Sequence, residues 1–282
     1  MIAFLNGRFV PEERAAVSVL DRGFLYGDGL FETMRVYAGK PFLWEKHMER
    51  LQRGADFLQI KFHYSPGELR RAADELTRRN CMREALLRLT LTRGIGPRGY
   101  SPRGADQPTL VMTMHPVAAT NARRTPRWRL ITASQRVPAG DALALHKTCN
   151  KLPHILARAE AEARGSDEAL LLNTDGEVAE AASSNLFWIE RGTVCTTPLA
   201  AGILAGVTRG LVLDLCNQLG IPRTEKPIKP ARLAKMDGVF LTLSTLEIIP
   251  AFELDGHKLR QSPLVTKLRH AYRAATAKAR TD

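Results

Sequence analysis

The spacing of apolar residues changes period several times along the chain, and each change marks an element. Asn6-Gly7 is a tight-turn signal between two short apolar runs, and residues 30–37 alternate as a strand up to a turn at Ala38-Gly39. Residues 44–58 switch to the helical period, with His47, Leu51, Ala55 and Leu58 recurring on one face. Pro66 opens a second helix that ends near Asn80, and strands follow at 85–92 and 109–115. Further on, an alanine-rich helix spans 153–164, with Pro153 in its first turn and Gly165 at its stop. Hairpins turn at Asp175-Gly176 and Arg191-Gly192, a helix over 207–219 closes at Gly220, and residues 239–244 form a strand.

Strands and helices mix without regular alternation, so the expected class is mixed α/β (α+β) and not a doubly wound sheet. The expected division is a small N-terminal α/β domain over 1–115, a linker over 116–126 rich in Pro, Ala, Thr and Asn, and a large C-terminal domain over 127–282. Between the strands at 85–92 and 109–115 lies a loop over 93–104 with five glycines or prolines in its first ten residues, a segment costly to order and so expected to serve a site.

Composition narrows the class of function. At 44% hydrophobic and 25% charged residues the chain is globular. No apolar run approaches the ~18 residues of a membrane helix, and no basic leader precedes the first apolar residues, so a cytoplasmic location without membrane contact is expected. Cys81, Cys149, Cys195 and Cys216 are scattered, without metal spacing or a disulfide framework, and are expected to be reduced and mostly buried, with no metal site. The formal charge of +12 is spread along the chain, with clusters at Arg123-Arg124 to Arg129 and from Lys267 to Arg280. Because the basic residues are spread along the chain, anionic small molecules are expected as ligands and nucleic acid is not.

Two segments carry candidate chemistry: Leu145-His146-Lys147-Thr148-Cys149-Asn150-Lys151, and Glu180-Ala181-Ala182-Ser183-Ser184-Asn185-Leu186-Phe187. A lysine amine that forms an imine and a carboxylate that keeps a pyridine nitrogen protonated are the two groups that bind and tune pyridoxal phosphate. Together with Gly206-Val207-Thr208-Arg209, with Asp21-Arg22-Gly23-Phe24-Leu25-Tyr26-Gly27-Asp28-Gly29-Leu30-Phe31-Glu32-Thr33-Met34-Arg35 and with His47-x-x-Arg50-Leu51, these segments resemble the class IV aminotransferase family, the pyridoxal-phosphate enzymes of fold type IV. The resemblance spans nearly the whole chain.

It implies a larger domain with a barrel-like sheet, the cofactor in a cleft between domains, and a homodimer whose active sites a partner loop completes. It implies that Lys147 holds the cofactor and moves the proton at the reacting carbon, with Lys151 the one close rival. Glu180 faces the pyridine nitrogen in this reading, ahead of Glu177 and Asp175, because it alone stands immediately before the small-residue run. Ser184 and Asn185, beside Ser183, supply short polar contacts or cap the loop. Phosphate ligands by resemblance are Arg50, Val207, Thr208 at a helix start, and Ser244 of Ser244-Thr245-Leu246-Glu247-Ile248-Ile249-Pro250. Substrate-facing positions are Tyr26, Phe31, Thr33, Arg35, Arg98, Tyr100 and Thr245.

The reaction is a separate question from the fold. Branched-chain aminotransferases typically carry Phe-Glu-Gly-x-Arg where this chain has Phe31-Glu32-Thr33-Met34-Arg35. D-amino-acid enzymes carry a tyrosine near the start of that strand and Arg-x-His in the loop, where Phe31 and Arg98-Gly99-Tyr100 stand here. Gly29-Leu30-Phe31-Glu32-Thr33-Met34-Arg35 and Arg93-Gly94-Ile95-Gly96-Pro97-Arg98-Gly99-Tyr100-Ser101 most resemble 4-amino-4-deoxychorismate lyase, which releases pyruvate to leave 4-aminobenzoate. The alternatives are a transaminase of D-amino acids, branched-chain L-amino acids or (R)-amines, and an inactive binding protein on the same fold.

Overall fold

A computed structural model describes residues 1–117 and 126–281. Most of the expected linker, and Arg123-Arg124, lie outside the described residues. The chain divides into two compact units.

The first unit holds Met1–Ala119, His146–Asn150 and Lys278–Asp282. Its sheet has six strands: β1 (Ile2–Leu5), β2 (Arg8–Pro11), β3 (Gly29–Tyr37), β4 (Lys40–Pro41), β5 (Ala85–Thr92) and β6 (Thr109–Pro116), in the order β2-β1-β6-β5-β3-β4. Both Asn6-Gly7 and Ala38-Gly39 turn with positive φ at each residue, as the tight hairpin requires. Helix α1 (Arg22–Tyr26) is a single capped turn, whereas α2 (Trp44–Leu58) and α3 (Pro66–Arg79) cover the sheet. The residues that repeat on α2, Trp44, Met48, Leu51 and Ala55, meet Leu30, Met34 and Val36 of β3 and Leu87, Leu89 and Leu91 of β5 in one apolar cluster. Burying a leucine there stabilises by ~1.5–3 kcal/mol. Helix α3 starts on a reciprocal cap: Ser65 Oγ accepts from the Glu68 amide, and the Ser65 amide donates to the Glu68 carboxylate.

Because strand side chains alternate, the other face of β3 presents Phe31, Thr33 and Arg35 away from that core. The segment His146–Asn150 belongs here, although the sequence reading placed it in the second domain. The Phe31 amide donates to Lys147 O (2.9 Å) and the Cys149 amide to Gly29 O (2.9 Å), so the segment pairs antiparallel alongside the start of β3.

The second unit holds Thr120–Leu145 and Lys151–Ala277. It contains β7 (Trp128–Val137), β8 (Glu168–Asn173), β9 (Val178–Ala181), β10 (Asn185–Glu190), β11 (Thr193–Thr196), β12 (Arg223–Glu225), β13 (Gly238–Leu243), β14 (Glu247–Leu254) and β15 (His257–Lys258). The order β12-β11-β10-β13-β14-β7-β8-β9, with β15 on β14, forms one curled half-barrel sheet of nine strands. Helix α4 (Leu152–Ala163) lays Ala157 and Ala161 on Ile131, Ala133, Ala169 and Leu171. Helices α5 (Val207–Gln218), α6 (Pro230–Leu233) and α7 (Pro263–Thr281) complete the chain. The mixed class holds: β7 runs parallel to β8 and β14, while β10, β13 and β14 pair antiparallel. Two cysteines, Cys195 and Cys216, are buried, but Cys81 is exposed at a positive-φ turn and Cys149 is half-buried, so "mostly buried" does not hold.

Candidate functional site

In the first unit the site begins with a charge buried in apolar surroundings. Glu32 lies on the core face of β3 and is fully buried. His47 and Arg50, one turn apart on α2, both point at it: His47 Nδ1 donates at 2.7 Å, Arg50 Nε at 2.8 Å and Arg50 Nη2 at 2.6 Å. Burial alone would raise the Glu32 carboxyl; the Arg50 guanidinium, then His47, more than offset it and hold it down at about 2. Burial likewise drives the His47 imidazole below its ordinary value against the pull of Glu32. Arg50 supplies the larger share of the countercharge, and His47 adds to it at hydrogen-bond distance. The His47-x-x-Arg50 spacing thus fixes Arg50 in a planar two-point grip, a feature invisible without Glu32.

On the open face of the same strand, cations gather around Phe31. Lys147 Nζ stands 4.5 Å from its ring centroid and Arg88 Cζ 4.1 Å. Arg88, paired in register with Thr33, was missed in the sequence reading; its signal was a lone charge among Leu86, Leu87 and Leu89. It is half-buried, burial lowers its pKa, and among the described residues it has no carboxylate partner. Arg35 is different, since its Nη2 donates to Glu84 (3.1 Å), which also meets Arg280 (3.2 Å).

The loop over 93–104 is held by two arginines that share one carboxylate. Arg22 donates through Nε to Asp28 (2.9 Å) and gathers three successive carbonyls, Gly99 O (2.8 Å), Tyr100 O (3.1 Å) and Ser101 O (3.1 Å). Arg93 donates to the same carboxylate (2.8 Å) and to Gln59 O and Leu58 O. Burial would raise Asp28, and hydrogen bonds from Arg93 and Arg22 bring it below its usual range. Tyr26 accepts from the Gly99 amide (3.2 Å) and meets Tyr100 edge to face. Arg98 is exposed on this loop, and so is Tyr100. Gly27, at φ +67°, ends α1 against Asn150, where a Cβ would lie 2.4 Å from Asn150 Oδ1.

The second unit carries the other candidates. Glu180 is buried on β9 and both its oxygens are engaged. Oε2 accepts from Asn185 Nδ2 (3.1 Å) and the Leu204 amide (3.0 Å), and Oε1 lies 3.2 Å from His154 Nε2. Asn185 also donates to Leu204 O (2.9 Å), so it fixes the neighbours of Glu180. Glu177 sits apart in the turn governed by Asn173, and Asp175 is exposed. Ser183 bonds Glu168, whose carboxyl burial pushes up, whereas Ser184 Oγ is buried without a hydrogen-bond partner among the described residues.

Gly206 caps α5 with no side-chain cap, leaving first-turn amides at Val207 and Thr208. A Cβ at Gly206 would lie 1.9 Å from Asn185 Oδ1, so only glycine permits this approach. Thr208 Oγ1 and Ser244 Oγ stand 3.5 Å apart, with Thr245 next in the turn after β13. Arg209 is spent on Thr197 O and Glu225. Among the described residues no cluster could hold a metal ion, and no helix is long and apolar enough to cross a membrane.

Comparison with known proteins places these residues in a family. Residues 29–254 match the family described as Amino-transferase class IV. A protein of Methanocaldococcus jannaschii named "Putative branched-chain-amino-acid aminotransferase" is 37% identical over 260 residues, 91% of this chain and 88% of its own. The aminodeoxychorismate lyase of Bacillus subtilis is 32% identical over 254 residues, 89% and 86% of the two chains. The crystal structure of the branched-chain aminotransferase from the thermophilic archaeon Thermoproteus uzoniensis, with norvaline, superposes with a TM-score of 0.90 at 34% identity, covering 97% of this chain and 93% of that one. The chain belongs to the class IV aminotransferase family, the pyridoxal-phosphate enzymes of fold type IV.

Proposed function

We propose that the chain is a 4-amino-4-deoxychorismate lyase, and the observation that carries the reading is the guanidinium of Arg88, held beside Phe31 and Lys147 without a carboxylate partner among the described residues. A half-buried cation without a countercharge is suited to an anionic ligand. The substrate of such a lyase carries two carboxylates, for which Arg88, Arg35 and Arg98 are the candidate contacts, with Tyr26, Thr33 and Tyr100 around them. The Bacillus subtilis relative and the Phe31-Glu32-Thr33-Met34-Arg35 pattern support this choice.

The residues present fit the cofactor. In the second unit, Ser184 Oγ, the uncapped amides of Val207 and Thr208, and the Thr208 and Ser244 hydroxyls are donors without a full set of protein partners among the described residues, suited to a phosphate; Arg50 is proposed as a phosphate ligand on the family resemblance alone. When bound, pyridoxal phosphate supplies the electron sink. Glu180 keeps the pyridine nitrogen protonated, assisted by Asn185, which fixes its orientation. Lys147 is the amine that holds the cofactor and takes the proton from the amine-bearing carbon of the substrate. Loss of pyruvate and aromatisation follow from that proton's removal.

A transaminase is the second reading, favoured by the 37% identity to the Methanocaldococcus jannaschii relative; Arg88 would then receive a carboxylate of a dicarboxylic amino donor. Purified enzyme should release pyruvate from aminodeoxychorismate, measured with a coupled dehydrogenase. Amino transfer from L-leucine, L-glutamate or D-alanine to a 2-oxo acid, with no pyruvate released from aminodeoxychorismate, would replace the lyase with the transaminase. The same proposal includes a homodimer, supported by exposed Leu20, Phe24 and Ile95 in one unit and Leu152, Ile155 and Leu156 in the other. It also includes a cytoplasmic location, which suits four free thiols.

A further inference from the structure

The terminal torsion of a glutamate is intrinsically broad and roughly two-fold; donors on one oxygen restrain it, and a donor on the second oxygen narrows it further. Leu204 and Asn185 both pin Glu180 Oε2. Among the described residues the second oxygen has one hydrogen-bonding neighbour, His154 Nε2 at 3.2 Å, from the first turn of α4. A carboxylate can only accept, so Nε2 carries the hydrogen. His154 Nδ1 is buried with no hydrogen-bond partner among the described residues, so this contact is the one the ring makes. Nor does another described cation pair with Glu180.

We propose that His154 is a positioning residue for Glu180: its Nε2–H anchors Oε1 while Asn185 and Leu204 anchor Oε2, and this second anchor narrows the torsion of the carboxylate that faces the pyridine nitrogen. The inference rests on the assignment of Glu180 to that nitrogen. His154 touches neither the ring nor the reacting atoms; it acts through Glu180.

The test uses the holoenzyme and four variants: His154→Leu, His154→Gln, Glu180→Gln, and the double variant His154→Leu/Glu180→Gln. His154→Leu, which fills the space without a donor, should lower kcat about tenfold, the worth of one charge-assisted hydrogen bond, with KM within about twofold. The absorption band of the bound cofactor should shift with it, and His154→Gln, which keeps an N–H, should return both toward wild type. In the Glu180→Gln background, His154→Leu should cost less than about twofold. An unchanged band and kcat in His154→Leu, or a tenfold loss that persists without the Glu180 charge, would overturn the proposal while leaving Glu180 in place. Wild-type turnover in Glu180→Gln would remove both. Independently of any variant or cofactor, the imidazole ¹⁵N shifts of the wild-type apo-enzyme should show Nε2 protonated; an Nε2 without hydrogen defeats the proposal.

Discussion

Replacing Glu32 by glutamine keeps the shape of the side chain and removes its charge, leaving the Arg50 guanidinium buried against a neutral amide. The carboxyl titrates at about 2 in the folded protein against 4.5 as its ordinary value. At about 1.4 kcal/mol per pKa unit this difference amounts to about 3 kcal/mol of stability at neutral pH. That agrees with the ~3–5 kcal/mol expected when one partner of a buried ion pair is removed. At roughly 2–4 °C per kcal/mol for chains of this size, Glu32→Gln should melt roughly 6–12 °C below the wild type at pH 7 by scanning calorimetry. Because the folded pKa is depressed, the stabilisation is fully present above about 4.5 and is lost as the pH falls toward about 2. The gap between the two melting temperatures should therefore narrow across that window. A variant that melts within about 1 °C of wild type at pH 7, or a gap that stays constant down to about pH 2, would refute the assignment of Glu32 as an ionised partner of Arg50.

Borohydride reduction followed by peptide mapping should find the pyridoxyl group on Lys147; a label on Lys151 would move the assignment, and Lys147→Ala should lose turnover while keeping its melting temperature. Arg98→Ala should raise KM for a carboxylated substrate by the equivalent of ~1.5–3 kcal/mol, with little effect on an (R)-amine; equal losses on both would make Arg98 a structural loop residue. Arg88→Leu should weaken a dicarboxylate more than a monocarboxylate, and the same kcat/KM for the two as in wild type would withdraw Arg88 from substrate contact. Arg22→Gln removes the grip on three loop carbonyls, so proteolytic cleavage within residues 94–104 should be at least about tenfold faster; an unchanged cleavage rate would mean that Arg93 and Asp28 hold the loop without Arg22.

Local periodicity determined much of the architecture without reference to partners. The strands over 29–37 and 85–92, the helix over 44–58 and the stop at Gly165 follow from side-chain spacing, proline and glycine, which act within a few residues of themselves. Helix α1 and the carboxyl-terminal helix α7 escaped that reading: the first is a single turn, and the second was noticed only for its basic residues. The Lys147 and Glu180 segments were singled out by the two together resembling a family, since neither residue type carries the assignment by itself. What surrounds them was decided in three dimensions. His146–Asn150 joins the first unit by pairing antiparallel with β3, across a sequence gap that no local pattern spans. Glu32 with Arg50, Arg22 with the loop carbonyls, and His154 with Glu180 are pairings whose members lie 18, 77 to 79, and 26 residues apart. A charged side chain announces in sequence that it will need a partner when buried; which partner it finds, or whether like Arg88 it finds none, depends on the register of strands and the face of a helix that only the folded chain brings together.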